Sequence, residues 1–168
     1  MVNIYLAMPI DQVENATKEY EAIIAALGTE LNKTGEDWAI FSPVHCYFVS
    51  DFSNKESQRF IIATNKAALL TSDLVVMVYA PRAESWGLPI ELYLAHQANV
   101  PVFLLSEMPY EGMPVYLAGH LDRENIFRGI IELAVGIEKH MNPPIIVERD
   151  PTLLNLPRTH NMKEEASK

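Results

Sequence analysis

Cysteine is almost missing from this sequence, with Cys46 the only one in 168 residues. A single thiol cannot form an internal disulfide or a multi-cysteine metal site, so Cys46 reads as a half-buried structural thiol of a reducing compartment. Cationic residues are scarce as well. Lys and Arg total 13 against 22 Asp and Glu, for a formal net charge of -9. That balance argues against nucleic-acid polymers as partners, because neutralising phosphates needs clustered Lys and Arg. No apolar run approaches the ~20 residues of a membrane span, so no membrane partner is expected. The opening Met-Val-Asn-Ile-Tyr has no basic segment, so no signal peptide is read and a cytoplasmic setting is expected. The glycine patterns of phosphate and dinucleotide loops, the Gly-x-Ser-x-Gly elbow and metal-type histidine spacings are also missing. His120, His140 and His160 are scattered along the chain. No metal and no organic cofactor is implied.

What is present is a globular composition, 49% hydrophobic and 21% charged, long enough for one sizeable core. Four runs read as buried strands: Val2 to Met8, Trp38 to Ser42, Leu74 to Ala80 and Val102 to Ser106. Their near-continuous apolar character predicts a parallel sheet covered on both faces. Helical patterns alternate with them. Tyr20, Ile23, Ile24, Leu27 and Leu31 form one stripe, and Phe60, Ile61, Thr64 and Ala68 mark a second helix. Pro89 to Ala98 is a third, and Ile126, Ile130, Leu133 and Ile137 mark a fourth opened by Asp122 as N-cap. The alternation predicts an α/β, doubly wound, flavodoxin-like (Rossmann-like) parallel sheet of four to five strands flanked by helices. Residues 1–141 are expected to form the single domain, and 142–168 a proline-punctuated extension whose end, from Lys163, is expected to be disordered.

In a doubly wound sheet, ligands bind beyond the carboxyl ends of strands where strand order reverses. Here that means Met8-Pro9-Ile10 after the first strand and Tyr79 to Glu91 after the third, with His45 bordering the same crevice. Glu91 is a lone carboxylate expected in the first turn of its helix, where free N–H groups and the dipole favour the ionised form. Such a group suits a nucleophile or a stabiliser of positive charge. The plainer reading, a Glu that only complements the dipole, carries about equal weight from position alone. Tyr5, in the first strand, is by position either a core tyrosine or a phenol that orients Glu91. Asp73 is expected to cap the helix before its strand, with no chemistry assigned. Trp86 is expected to pack.

The segment Ile4-Tyr5-Leu6-Ala7-Met8-Pro9-Ile10, taken with the block from Asp73 to Val102 containing Gly87, Glu91, Leu92 and Ala95, resembles the nucleoside 2-deoxyribosyltransferase superfamily. The likeness spans roughly residues 2–106. The superfamily holds transferases that move deoxyribose between bases and N-glycosidases that hydrolyse the base from a 2'-deoxynucleoside 5'-monophosphate. The resemblance implies a nucleotide-binding domain with Glu91 as nucleophile and Tyr5 as its positioning residue. It makes Ser85, six residues before Glu91, the discriminating position. Transferases usually carry an acid there for the sugar 5'-hydroxyl, whereas the monophosphate hydrolases carry a serine for the 5'-phosphate. A carboxylate would repel phosphate and a hydroxyl can donate to it, so Ser85 favours the hydrolase branch. Arg82 can add charge-assisted contacts to the same group. Glu84 next door restores the acid if the loop shifts by one residue.

The chain departs from the family pattern at two positions. Asn65 stands where an aspartate usually handles the base and delivers a proton. An amide can hydrogen-bond a base but has no carboxylic proton, which leaves Asp11, His45 and Asp51 as candidate acids, or a non-catalytic nucleotide-binding module. Met8-Pro9 replaces a frequent Gly-Pro, narrowing the space for backbone contacts to phosphate. The expected reaction is hydrolysis of a (deoxy)nucleoside 5'-monophosphate to free base and sugar 5-phosphate, with base exchange as the alternative. The resemblance also implies a homo-oligomer whose subunits complete each other's sites, with Met113 to His120 as the contributing segment.

Overall fold

Five short runs of apolar residues form the parallel sheet, in the order β2-β1-β3-β4-β5. The computed structural model describes residues 1–9, 16–43, 54–79, 85 and 87–143. Within them the chain runs β1 (Val2–Ala7), α1 (Ala16–Leu31), β2 (Trp38–Phe41), α2 (Lys55–Leu70), β3 (Leu74–Val78) and α3 (Gly87–Gln97). It continues through β4 (Val102–Leu105), a short α4 (Val115–Ala118), β5 (Ile126–Phe127) and α5 (Ile130–Met141). Every strand pairing is parallel, with Tyr5 of β1 opposite Phe41 on one side and Val75 on the other. This is the expected doubly wound order, reversing between β1 and β3.

Strand alternation divides the core into two layers. Ile4, Leu6, Leu74, Val76 and Phe103 pack with Tyr20, Leu27 and Leu31 of α1 and Leu133 and Ile137 of α5. Tyr5, Ala7, Val75, Met77 and Leu104 point to the opposite face, against Leu69 of α2, Leu88, Leu92 and Ala95 of α3, and Leu117 of α4. Both faces are buried, which is why the strands read as continuous apolar runs rather than alternating ones.

Several expectations need correcting. The four anticipated strands stop one or two residues earlier than read, at Ala7, Phe41, Val78 and Leu105. Ile126 does not begin a helix; it lies in β5, and α5 starts at Ile130 behind Gly129 in an extended conformation. The apolar spacing carried across the break because strand and helix bury residues on the same layer. Asp122 precedes a 3-10 turn (Arg123–Asn125) rather than α5. In α2 the stripe read as Phe60, Ile61, Thr64 and Ala68 holds at Ile61, which is buried, and at Thr64 and Ala68, which are half-buried, but Phe60 is 65% exposed and Leu69 is buried in its place. Asp73 caps no helix: its carboxylate accepts the Asn3 N–H at 2.8 Å and ties the start of β1 to that of β3. α1 runs through Gly28 and a 3-10 turn follows it, closed by Gly35 at φ 79°, where a side chain would be strained.

Among the described residues no helix is long and apolar enough to cross a membrane. Most of the extension, 144–168, lies outside the described residues, as does Cys46.

Candidate active site

β1 delivers Tyr5 to the floor of a cavity of about 270 Å³ roofed by α2 and α3. The ring is fully buried and stacks on Phe41 with centroids 5.7 Å apart. Its hydroxyl donates a 2.5 Å hydrogen bond to Glu91 Oε1 across 86 residues of chain. The two helices line the cavity with matching faces. α2 contributes Ile61 beside the set Ile62, Asn65, Lys66 and Leu69, and α3 contributes the set Gly87, Ile90, Glu91 and Leu94. Both sets follow i, i+3, i+4, i+7 spacing, which places four residues on one side of a helix. Met8 and Pro43 close the walls at the ends of β1 and β2.

Glu91 lies farther into its helix than the sequence suggests. α3 begins at Gly87, so Glu91 is its fifth residue, beyond the first turn and beyond the reach of the free N–H groups. Burial pushes its carboxyl above the ordinary carboxylate range, and the hydrogen bond from Tyr5 offsets part of that rise. The expected dipole-driven preference for the ionised form is therefore corrected, because desolvation is the larger influence. Tyr5 is what holds the carboxylate in one orientation and favours its charged state.

Ser85 has a structural task that the sequence reading did not include. Its Oγ accepts the Leu88 N–H at 3.2 Å, satisfying one of the orphan donors at the start of α3. A hydroxyl that accepts one bond still has its proton to donate into the cavity, which it also lines. Gly87 follows at the first helical position; a Cβ there would meet Ser85 Oγ at 3.7 Å, an ordinary contact, so the glycine is not sterically demanded. Asn65 Oδ1 is buried with no hydrogen-bond partner, an arrangement that costs about 1–3 kcal/mol and is tolerated beside a cavity that can bring a donor.

The structure thus brings Tyr5, Met8, Asn65, Ser85, Gly87 and Glu91 into one cavity. Pro9 is buried just beyond β1 and is not part of the lining. Ile10, His45 and Arg82 lie outside the described residues, together with Asp11, Asp51, Glu84 and Trp86. Lys66, Ile62 and Ile90 were missed; helical spacing reaches Ile62 three residues before Asn65, Lys66 four residues after Ile62, and Ile90 three residues after Gly87. A larger groove of about 720 Å³ follows α5 beside Phe127, and it contains none of the candidate residues. Among the described residues no group of three or more His, Cys, Asp or Glu is placed to hold a metal ion.

Against known proteins, no protein-family model and no curated protein matches the chain. Solved structures do match. A 2-deoxyribosyltransferase from Bacillus psychrosaccharolyticus superposes with a TM-score of 0.63 at 19% identity, covering 79% of this chain and 90% of that one. A conserved protein from Enterococcus faecalis V583 gives 0.58 at 17% identity, covering 83% and 99%. The five-stranded α/β fold is the fold of a 2-deoxyribosyltransferase.

Proposed function

We propose that the chain cleaves the N-glycosidic bond of a nucleoside 5'-monophosphate, releasing free base and sugar 5-phosphate. The observation that carries this reading is the Tyr5–Glu91 hydrogen bond inside a mostly apolar cavity. Glycosidic cleavage builds positive charge on the anomeric carbon, and a positioned, partly desolvated carboxylate beneath the ring stabilises that charge. In the first step a Glu91 oxygen bonds to C1' while the C1'–N bond breaks, its electron pair leaving with the base, which is protonated. In the second, water attacks C1' and loses a proton to solvent while the C1'–O bond to Glu91 breaks, leaving the sugar hydroxyl and returning Glu91 as a carboxylate. Asn65 contacts the base, and Ser85 donates to the phosphate. The proton for the base comes from Asp11, His45, Asp51 or solvent.

The second reading is base exchange between nucleosides, favoured by the fold shared with the Bacillus transferase. It uses the same glycosyl-enzyme, resolved by a second base instead of water. We also propose a homo-oligomer. Met113 and Leu117 are buried in their own chain's core and Val115 between them is 87% exposed, so Val115 is the large apolar side chain of that segment available to a neighbour.

Chromatography of free base over a panel of ribo- and deoxyribonucleoside monophosphates, and of nucleosides with and without acceptor base, tests both readings. Release from monophosphates alone supports hydrolysis. Exchange seen only with nucleosides replaces it with the second reading.

A further inference from the structure

Lys66 is the only cationic side chain among the described residues that lines the Glu91 cavity. It stands next to Asn65 on the α2 face turned toward α3, and its side chain is exposed at the cavity's edge rather than buried in it. The salt bridges among the described residues pair Lys33 with Glu30 and Arg123 with Glu111, leaving Lys66 unengaged. The carboxylate in the cavity is already occupied by the Tyr5 hydroxyl. The opposed helix faces therefore present one anion, Glu91, and one free cation, Lys66, to the same space of about 270 Å³.

We propose that Lys66 is the cationic contact for the anionic group of the substrate, and that it sets the preference for nucleoside monophosphates over nucleosides. This rests on the glycosidase reading above and adds a residue to it. The net charge of -9 repels a phosphate at long range, so an anion must be captured by a local charge within about a Debye length of 8–10 Å. Ser85 offers a neutral donor that is also engaged in capping α3. A charge-assisted bond is roughly twice as strong as a neutral one, and a lysine supplies a point charge on a flexible stem that can follow a phosphate at the rim. A lysine with only a solubilising role would be indifferent to whether the ligand carries phosphate.

The test compares Lys66→Ala, Lys66→Arg and Lys66→Glu with the unmodified chain, using a monophosphate, its matching nucleoside and inorganic phosphate as competitor. The readouts are kcat/KM for base release and Kd by calorimetry, with circular dichroism to verify folding. Lys66→Ala is expected to lower the monophosphate-to-nucleoside ratio about 10- to 100-fold and to weaken competition by inorganic phosphate. Lys66→Glu lowers the ratio further, and Lys66→Arg restores most of it. Equal losses for both ligands, or no change in the ratio while base is still released, overturn the role of Lys66 and leave the glycosidase reading standing. If no substrate yields base, a selective loss of monophosphate binding in Lys66→Ala upholds Lys66 as the anion contact while the catalytic reading fails.

Discussion

A phenol whose ring is wholly buried and whose hydroxyl meets a carboxylate at 2.5 Å is a pre-set pair, with no reorganisation needed when a sugar enters. Tyr5→Phe removes that bond, worth about 1.5–3 kcal/mol for a charged partner, and should lower kcat about 10- to 100-fold. Because the Tyr5 bond is the influence that holds the Glu91 pKa down against burial, its loss should also move the acid limb of kcat/KM to higher pH. In the unmodified chain that limb should already lie above the ordinary glutamate value of 4.5. A pH–rate profile of both proteins checks the order of the two limbs. The same shift bears on stability. A carboxyl whose folded pKa is raised favours the folded state below its unfolded pKa and loses that contribution as pH rises through the folded value. Glu91→Gln should therefore melt at a higher temperature than the unmodified chain at neutral pH, by about 2–4 °C for each kcal/mol relieved. The gap should close below the ordinary glutamate range. Thermal melts across pH read this directly. A more stable but inactive variant is the pattern of a residue kept for function at a cost in stability.

At the scale of elements, α3 depends on Ser85 twice, as a cap and as a donor into the cavity, and substitutions can separate the tasks. Ser85→Ala removes the cap and should cost about 1 kcal/mol of stability. Ser85→Asp keeps an acceptor for the Leu88 N–H and should retain that stability, while its charge repels phosphate and selects against monophosphates. Chemical denaturation alongside substrate competition distinguishes the two. On the far layer, Gly136 of α5 packs directly under the Phe127 ring, where an added Cβ would collide with the ring carbons. Gly136→Ala should displace Phe127 from its stack on Phe103 and cost roughly 1–3 kcal/mol, measurable as a lower denaturation midpoint. The elements themselves were largely legible because buried parallel strands carry a strong apolar signal. The two-residue β5 was not, since Ile126 and Phe127 fall in step with the helical spacing that follows. On α2 only Phe60 was misplaced: it is apolar yet exposed, and hydrophobicity alone does not tell a core position from a surface one. The pairing of Tyr5 with Glu91 was legible through the resemblance, whereas the raised carboxyl was not, because its burial depends on how the helices and strands pack together.

For the whole molecule, the reversal of strand order between β1 and β3 explains why residues as distant as Tyr5, Asn65 and Glu91 share one cavity. Ile62 and Ile90 are exposed at its edge, as is Val115 on α4, and in the proposed oligomer these are apolar side chains that a second copy could cover. Light scattering after size exclusion should give a dimer or larger assembly, shifted toward monomer by Val115→Asp. A monomer that turns over substrate at full rate would end the oligomer proposal and leave the cavity chemistry untouched.

The central claim, that Glu91 carries the glycosidic chemistry, is tested most directly by base release from nucleoside monophosphates with the unmodified chain and with Glu91→Ala, both verified as folded. The account predicts free base from the unmodified chain and at least a roughly thousandfold loss in the variant, the scale of a missing nucleophile. Base released at a similar rate by both proteins would contradict it.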